Sequence, residues 1–499
     1  MSATESADRS AGDGALGEIA APRLRARATR GAAWSGVSSI VMRLGGLVVG
    51  IILARLLTPE QFGIYAIALT VQSILITAAD LGLSADLIRS DEPKKIAPTI
   101  ATLGLASGAI LTAATALSSQ TLAALLGNED AAPAIAILSL TLLLAGGTVV
   151  PFGMLHRRFQ QRELFYVGAA DFMVSTIVTL VLVAAGFGVV GLAIGRVSAQ
   201  IVSSAMQYSF ARVRPRFAID RSIVRSVLAF SIPVASANML SWALLNVDYI
   251  ILARVAGATA LGFYVLAFNI SSWPMTALGQ VVRSVSLPYF SRAADAASSL
   301  ATVSAVAWAG ALPAGAILAV LAAPLIEVVY GARWLPAAPA LAALGIYGSL
   351  RVVFDTIAGF LYSRGRSGRV LVIQVVWLVA LVAGMIPATN MYGIVGAGWV
   401  HVIVAVAVIL PAYALALRRT GGRFTAIARA AWWPTVATIP AVMVAIGARM
   451  FFPAALPALL VGGFASVLVY GHLVWPWLRS HLRASRFEEV QSASKENHG

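Results

Sequence analysis

A chain of 499 residues that is 59% hydrophobic, 11% charged and of mean hydropathy +0.85 is not a soluble globule. Apolar runs about as long as a bilayer-spanning helix, ~20 residues, follow one another along most of it, too long and continuous for the ~10-residue alternating strands of a membrane barrel. The chain therefore reads as an all-α polytopic membrane protein, and its lack of cysteine excludes disulfides, thiolate metal sites and a cysteine nucleophile.

Residues 1–30 form a polar, basic tail with the composition of disorder. Fourteen spans follow, with ends set to within ~2–4 residues. They lie at 35–57, 62–83, 98–118, 133–154, 167–186, 188–209, 227–253, 261–281, 302–322, 336–361, 370–388, 393–417, 431–450 and 455–477. The first exceeds a signal-peptide core and lacks a small-residue cleavage motif, so it serves as an uncleaved insertion signal. With the N-terminus inside, 29 of the 36 lysines and arginines fall in cytoplasmic segments. Four more (Arg55, Arg254, Arg333, Arg449) lie in outer loops and three within spans. The net charge of +15 is thus a positive-inside topology signal rather than a nucleic-acid signal, and no nucleic-acid partner is expected. Trp432, Trp433, Trp475 and Trp477 fall at the inner headgroup level; packing as core tryptophans is the other reading.

The chain contains two related halves. IILARLLTPEQFGIYAIA at 51–68 and IILARVAGATALGFYVLA at 250–267 share eight of eighteen positions without a gap. AAPA at 131–134 returns at 337–340, and Gly153, Leu155 and Arg158 are answered by Gly359, Leu361 and Arg364. GVVG at 188–191 returns as GIVG at 393–396. Residues 31–209 and 227–417 are accordingly read as six-helix halves of equal orientation, joined by a basic linker at 210–226. That arrangement implies a pseudo-two-fold axis along the membrane normal and a cavity between the halves. Two extra spans at 418–478, lipid-facing and peripheral, and a tail at 479–499 complete the chain; residues 484–499 have the composition of disorder.

The segments ILARLLTPEQFGIYAIA, DLGLSADLIR at 80–89, NVDYIILARVAGATALGFYVLAFNI at 246–270 and LPYFSR at 287–292 resemble the polysaccharide-transport branch of the multidrug/oligosaccharidyl-lipid/polysaccharide exporter superfamily, the O-antigen-type flippases. The resemblance covers essentially the whole chain. It implies a V-shaped, fourteen-helix carrier that moves a polyprenyl-phosphate-linked oligosaccharide to the outer leaflet by alternating access. The chain is further expected to be a monomer in the cytoplasmic membrane, with both termini inside as the positive-inside count places them and with polysaccharide polymerase and glycosyltransferase partners. No cofactor and no enzymatic step are expected.

Such a cargo carries an anion that hydrocarbon excludes, so cations at bilayer depth are the candidate contacts. A charge there costs at least ~2.5–3.5 kcal/mol and rarely faces lipid. Arg43 leads, on a stripe with Gly36, Ser39, Gly46 and Gly50; its alternative is snorkelling or an acidic partner. The lipid II flippases of the same superfamily have an arginine at a position similar to Arg43. They also carry an Arg-Asp pair where this chain has Val49-Gly50, which argues against a peptidoglycan precursor as cargo. Arg196 shares a small, polar face with Ala193, Ala199, Gln200 and Ser203. Arg351 lies one turn from Tyr347 and from Asp355, with which it could pair internally. Asp248, beside Asn246 and Tyr249, and Asp355 are the coupling or charge-balancing candidates, and His401 is a candidate relay. Asp80, Asp86 and Asp171 read as solvated carboxylates at cytoplasmic helix ends, and Arg55 and Arg254 as headgroup anchors.

Two other function classes compete. A cation-coupled multidrug exporter would want acidic, aromatic walls, which Arg43, Arg196 and Arg351 oppose and Asp248 favours. A glycosyltransferase or polymerase would want an acidic pair on a sizeable outer loop. The largest such loop, near 119–132, offers Glu129 and Asp130 alone.

Overall fold

The structure, a computed structural model, describes residues 42, 45–214, 216–292, 296–420 and 422–496. Helices follow one another throughout: α1 Gly45–Leu56, α2 Pro59–Asp80, α3 Leu83–Arg89, α4 Pro93–Leu117, α5 Ser119–Leu125, α6 Ala132–Arg157, α7 Gln161–Ala184 and α8 Gly188–Ala211. Then come α9 Arg221–Arg292, α10 Ala296–Val320, α11 Ala322–Val329, α12 Ala338–Ser363, α13 Ser367–Val404, α14 Leu410–Arg418, α15 Phe424–Phe451 and α16 Ala455–Glu496. No strand occurs among the described residues, as hydrocarbon demands of a backbone that must satisfy its own hydrogen bonds.

Twelve segments among the described residues are long and apolar enough to cross a membrane. The fourteen expected from sequence include a first span that begins outside the described residues. They also separate 370–388 from 393–417, which here form one 52-residue apolar stretch, Ser367–Arg418. At ~1.5 Å per residue that stretch would be more than twice a bilayer core, and it breaks where Gly393 takes φ 57°. α9 likewise exceeds any span and turns at Gly257, whose φ of 83° an L side chain rarely adopts. α16 stays helical to Glu496, where composition suggested a disordered tail. Its Arg486, Glu488, Glu489, Gln491 and Lys495 are good helix formers that prolong a helix already nucleated.

The chain divides into two units, one holding Ile67–Trp242 together with the residues up to Thr58, the other Pro59–Ala66 and everything from Ala243. In the first unit α4 packs on α6, α6 on α8 and α7 on α8. Leu83, Leu87, Ile100, Val149, Val150 and Val227 form a buried cluster there. Arginines close the helix ends: Arg157 Nη1 donates to Ile88 O at 2.7 Å, and Arg158 Nη1 to Ala211 O at 2.7 Å, satisfying carbonyls that a helix C-terminus leaves unpaired. In the second unit α10 packs on α12 and α15, α12 on α13, and α15 on α16. Ile439, Met443, Phe464 and Leu468 of the last two helices remain exposed, as lipid-facing residues do.

The sequence repeats recur as local geometry. AAPA opens two helices of 26 residues, α6 and α12, each entered through a 3-10 turn, and Ala131 and Ala337 share φ −75° and ψ −16°. Gly188 and Gly393, the first residues of GVVG and GIVG, both have positive φ, 49° and 57°. The equivalent glycines Gly63 and Gly262 meet within the second unit. A Cβ at Gly63 would strike the Ala258 carbonyl, and one at Gly262 would strike the Pro59 carbonyl, so only backbone fits on either side. Trp334, fully buried, stands edge-on to Phe62 and Phe263 at 5.5 and 5.9 Å in the same unit.

Gly63→Ala or Gly262→Ala should therefore lower the thermal stability of the purified protein by about 1–3 kcal/mol, the usual cost of overpacking. Gly46→Ala, where an added Cβ meets nothing within 4 Å, should leave the melting temperature unchanged or raise it slightly.

Candidate functional site

The second unit buries a carboxylate inside a cage of aromatic rings. The turn at Gly257 folds α9 back on itself, so that Tyr264 reaches Asp248 one helix away. Asp248 Oδ2 accepts from the Tyr264 hydroxyl at 2.9 Å and Oδ1 from the Tyr249 N–H at 3.0 Å. His401 on α13 brings Nε2 to 3.9 Å from Asp248 Oδ2, an ion-pair distance rather than a hydrogen bond. Asp248 and His401 are only 2% and 3% exposed.

The imidazole's protonation follows from its other nitrogen. His401 Nδ1 lies 2.9 Å from the Ala397 carbonyl, which only accepts, so Nδ1 carries the hydrogen. In the neutral ring Nε2 then presents a lone pair to the carboxylate, and two acceptors face each other unless one proton lies on either. Immediately after His401 the helix widens into a π turn, Ala405–Ile409, a local defect common at functional positions.

The cage extends outward. The rings of Tyr347 and His401 lie 4.9 Å apart, Tyr249 stands edge-on to Tyr264 and Phe268, and Trp377 to Tyr347 and Phe354. Arg351 acts electrostatically on Tyr347 and His401, and Asp355 on Tyr347 and Tyr413. Asp248, Arg351 and Asp355, all singled out in the sequence, thus act electrostatically on one side chain, Tyr347. Among the described residues no three histidine or acidic side chains come together as a metal site.

The first unit holds a different arrangement. Arg196 on α8 donates through Nη1 to Asp171 Oδ2 on α7 at 2.8 Å, with both side chains partly exposed. This revises the solvated reading of Asp171, because α7 begins at Gln161 and so carries Asp171 into the span. Asp86 is also revised: it is buried and paired to Arg89 at 2.8 Å. Asp80 accepts from the Ser84 hydroxyl at 3.0 Å. The Arg89 guanidinium in turn lies 3.6 Å over the Phe230 ring. Arg43 lies outside the described residues.

The sequence profile described as "Polysaccharide biosynthesis protein" matches residues 52–339, more than half of the chain. The chain belongs to this family. Among its relatives is the lipopolysaccharide biosynthesis protein WzxC of Escherichia coli (strain K12), 27% identical over 357 residues, which are 69% of this chain and 71% of that protein. Another is the succinoglycan biosynthesis transport protein ExoT of Rhizobium meliloti (strain 1021), 26% identical over 346 residues, 68% and 69% of the two chains. The fold matches the lipid II flippase MurJ in its inward closed conformation, with a TM-score of 0.73 at 14% identity over 89% of this chain and 99% of that one. This family member is a multi-pass, all-α membrane protein.

An ion pair in the membrane can be purely structural, and the Arg196–Asp171 bond tests that directly. Arg196→Ala should cost about 1–2 kcal/mol of stability by stranding Asp171, and adding Asp171→Asn should restore most of it. A stable double variant that still translocates cargo would assign Arg196 to the fold. A stable double variant without transport would assign it to the cargo path.

Proposed function

We propose that this protein is a flippase that carries a polyprenyl-phosphate-linked oligosaccharide across the cytoplasmic membrane for cell-surface polysaccharide biosynthesis, by alternating access. The observation that carries this reading is the family match over residues 52–339, with relatives named for lipopolysaccharide and succinoglycan biosynthesis. The concentration of basic residues in one set of loops supports a cytoplasmic N-terminus and C-terminus. Transport of this kind breaks no covalent bond. The carrier need shelter only the charged and sugar parts, while the polyprenyl tail stays in lipid.

In this reading Arg43 is the main phosphate contact, helped by Arg351 and Arg196. Arg196 would exchange its Asp171 partner for the cargo's phosphate. A guanidinium suits the task because its planar fork stays charged and grips phosphate through two bonds. Asp248 with His401 is the coupling or charge-balancing pair, and Asp355 offsets Arg351. Glycosyltransferase and polymerase partners acting before and after the flip fit the same scheme, with the flippase itself monomeric.

A cation-coupled multidrug exporter on this fold is favoured by one observation, the aromatic cage around Asp248. That carboxylate is almost fully buried and already bonded to Tyr264 and Tyr249, which suits a coupling group better than a wall for organic cations.

The deciding experiment measures leaflet accessibility of the lipid-linked glycan in cells depleted of the protein and complemented with variants. Depletion should accumulate glycan on the cytoplasmic leaflet. Arg43→Ala should abolish flipping at normal membrane abundance, and Arg43→Lys should retain part of it. Asp248→Asn should leave cargo binding intact while slowing the cycle at least tenfold. Wild-type flipping by Arg43→Ala would overturn its role, and unchanged leaflet accessibility on depletion would overturn the flippase reading.

A further inference from the structure

The basic linker singled out in the sequence leads into an open groove of about 710 Å³ in the first unit, lined by Ile219, Arg221, Arg225, Leu228, Ile232 and Pro233 among others. α9 is held there by its other face. Val227 joins the buried cluster of Leu83, Leu87 and Ile100, and the Ser231 backbone closes on Gly82. Four of the lining residues, Arg221, Arg225, Leu228 and Ile232, form a stripe at positions i, i+4, i+7 and i+11, with Val224, Ala229 and Pro233 beside it. Two arginines head the stripe and two aliphatic side chains continue it. Eleven residues at ~1.5 Å each give about 16 Å, roughly half of a ~30 Å hydrocarbon core, the depth of one leaflet.

The two arginines are exposed, and among the described residues neither has a hydrogen bond or ion pair. The nearest acid is otherwise engaged. Asp220 accepts from the Ser222 N–H at 2.9 Å and from the Ser222 hydroxyl at 2.5 Å, and these bonds hold its carboxyl below the usual carboxylate range. One turn apart, the guanidiniums have Cβ atoms ~6 Å from each other, close enough to grip the two phosphates of a pyrophosphate with one fork each. Beneath them Leu228 and Ile232, flanked by Ala229 and Pro233, offer an apolar track for a hydrocarbon chain. A phosphodiester lipid, with one phosphate, would leave one of the two cations unmatched.

We propose that this groove is the loading site for the cargo's lipid anchor. Arg221 and Arg225 bind the pyrophosphate at the cytoplasmic surface, and Leu228 and Ile232 receive the first isoprene units of the polyprenyl chain. The assignment rests on the flippase reading above and names the residues that make first contact with its cargo.

The test uses the full chain in phosphatidylcholine nanodiscs with a radiolabelled polyprenyl pyrophosphate as the probe. Leu228 replaced by p-benzoylphenylalanine should cross-link to the probe on illumination, and the same replacement at the exposed Leu468 of α16 should not. Arg221→Gln with Arg225→Gln should reduce the Leu228 cross-link about tenfold or more, with an unchanged melting temperature because both side chains are exposed. Arg221→Lys with Arg225→Lys should fall between, since charge remains and the fork is lost. Equal labelling in the glutamine variant would overturn the groove while leaving the flippase reading intact. Displacement of the probe by an equal amount of phosphatidylglycerol would also overturn it, in favour of ordinary anionic-lipid contact. Wild-type protein that binds polyprenyl pyrophosphate nowhere would count against the flippase reading itself.

Discussion

The cost of holding charge in hydrocarbon organises this molecule. A lone carboxylate or guanidinium at bilayer depth costs several kcal/mol, so each must find a partner or face water. Asp248 is met by the Tyr264 hydroxyl, the Tyr249 amide and the imidazole of His401. Asp171 and Arg196 meet each other. The two solutions differ in what they permit. The Arg196–Asp171 bond pairs full charges and gains nothing from a proton. Asp248 and His401 stand too far apart for a hydrogen bond, at 3.9 Å. On the coupling role proposed for Asp248, a site of the second kind would link an ion to a conformational change, while one of the first kind keeps helices together.

Close approach of backbones is the second constraint. Between helices in lipid there is little hydrophobic driving force, so contact depends on packing area, and small residues allow the most. Gly63 and Gly262, equivalent in the two sequence halves, meet each other's neighbouring carbonyls reciprocally. Such reciprocity is what a duplicated segment produces where its two copies touch, because each copy brings the same surface to the contact. The first eight residues of α2 therefore belong by their contacts to the unit that holds the second half, although by sequence they open the first.

Most of the fold was legible in the sequence, because hydropathy reports what hydrocarbon requires. In the sequence the repeated AAPA and GVVG/GIVG motifs mark only two related halves; the backbone is alike at each pair, with helix starts at AAPA and positive-φ glycines at Gly188 and Gly393. Helix ends were less legible. α4, α7 and α9 begin at Pro93, Gln161 and Arg221, five or six residues before the apolar runs do. Polar residues can continue a helix beyond the hydrocarbon, and hydropathy is blind to them there. That blindness hid the Arg196–Asp171 pair, since Asp171 looked like a solvated terminus. Partners distant in sequence were hidden too. Asp248 and His401 were each noted, but nothing in one sequence brings α9 to α13. The π turn beside His401 lies in the unremarkable run AVAVI and has no residue signature at all.

In the proposed path the exposed Arg221 and Arg225 and the proposed phosphate contact Arg43 would act on the same anion in turn, under different conditions. At the surface, water and salt screen a guanidinium–phosphate contact to about a kcal/mol or less, and a phosphate leaves it quickly. At bilayer depth the same contact is stronger, yet it must not be so strong that the cargo stays. On this proposal a weak pair at Arg221 and Arg225 would raise the local concentration of cargo without trapping it, and Arg43 would then compete for the phosphate once the tail is seated. The polyprenyl chain never leaves hydrocarbon, so its burial cancels between the two positions. What remains is the transfer of one anion from two screened cations to one desolvated cation. Two interactions of comparable strength can be exchanged in either direction, so in the proposed scheme net movement would come from the candidate coupling pair Asp248 and His401 or from removal of the glycan on the far side.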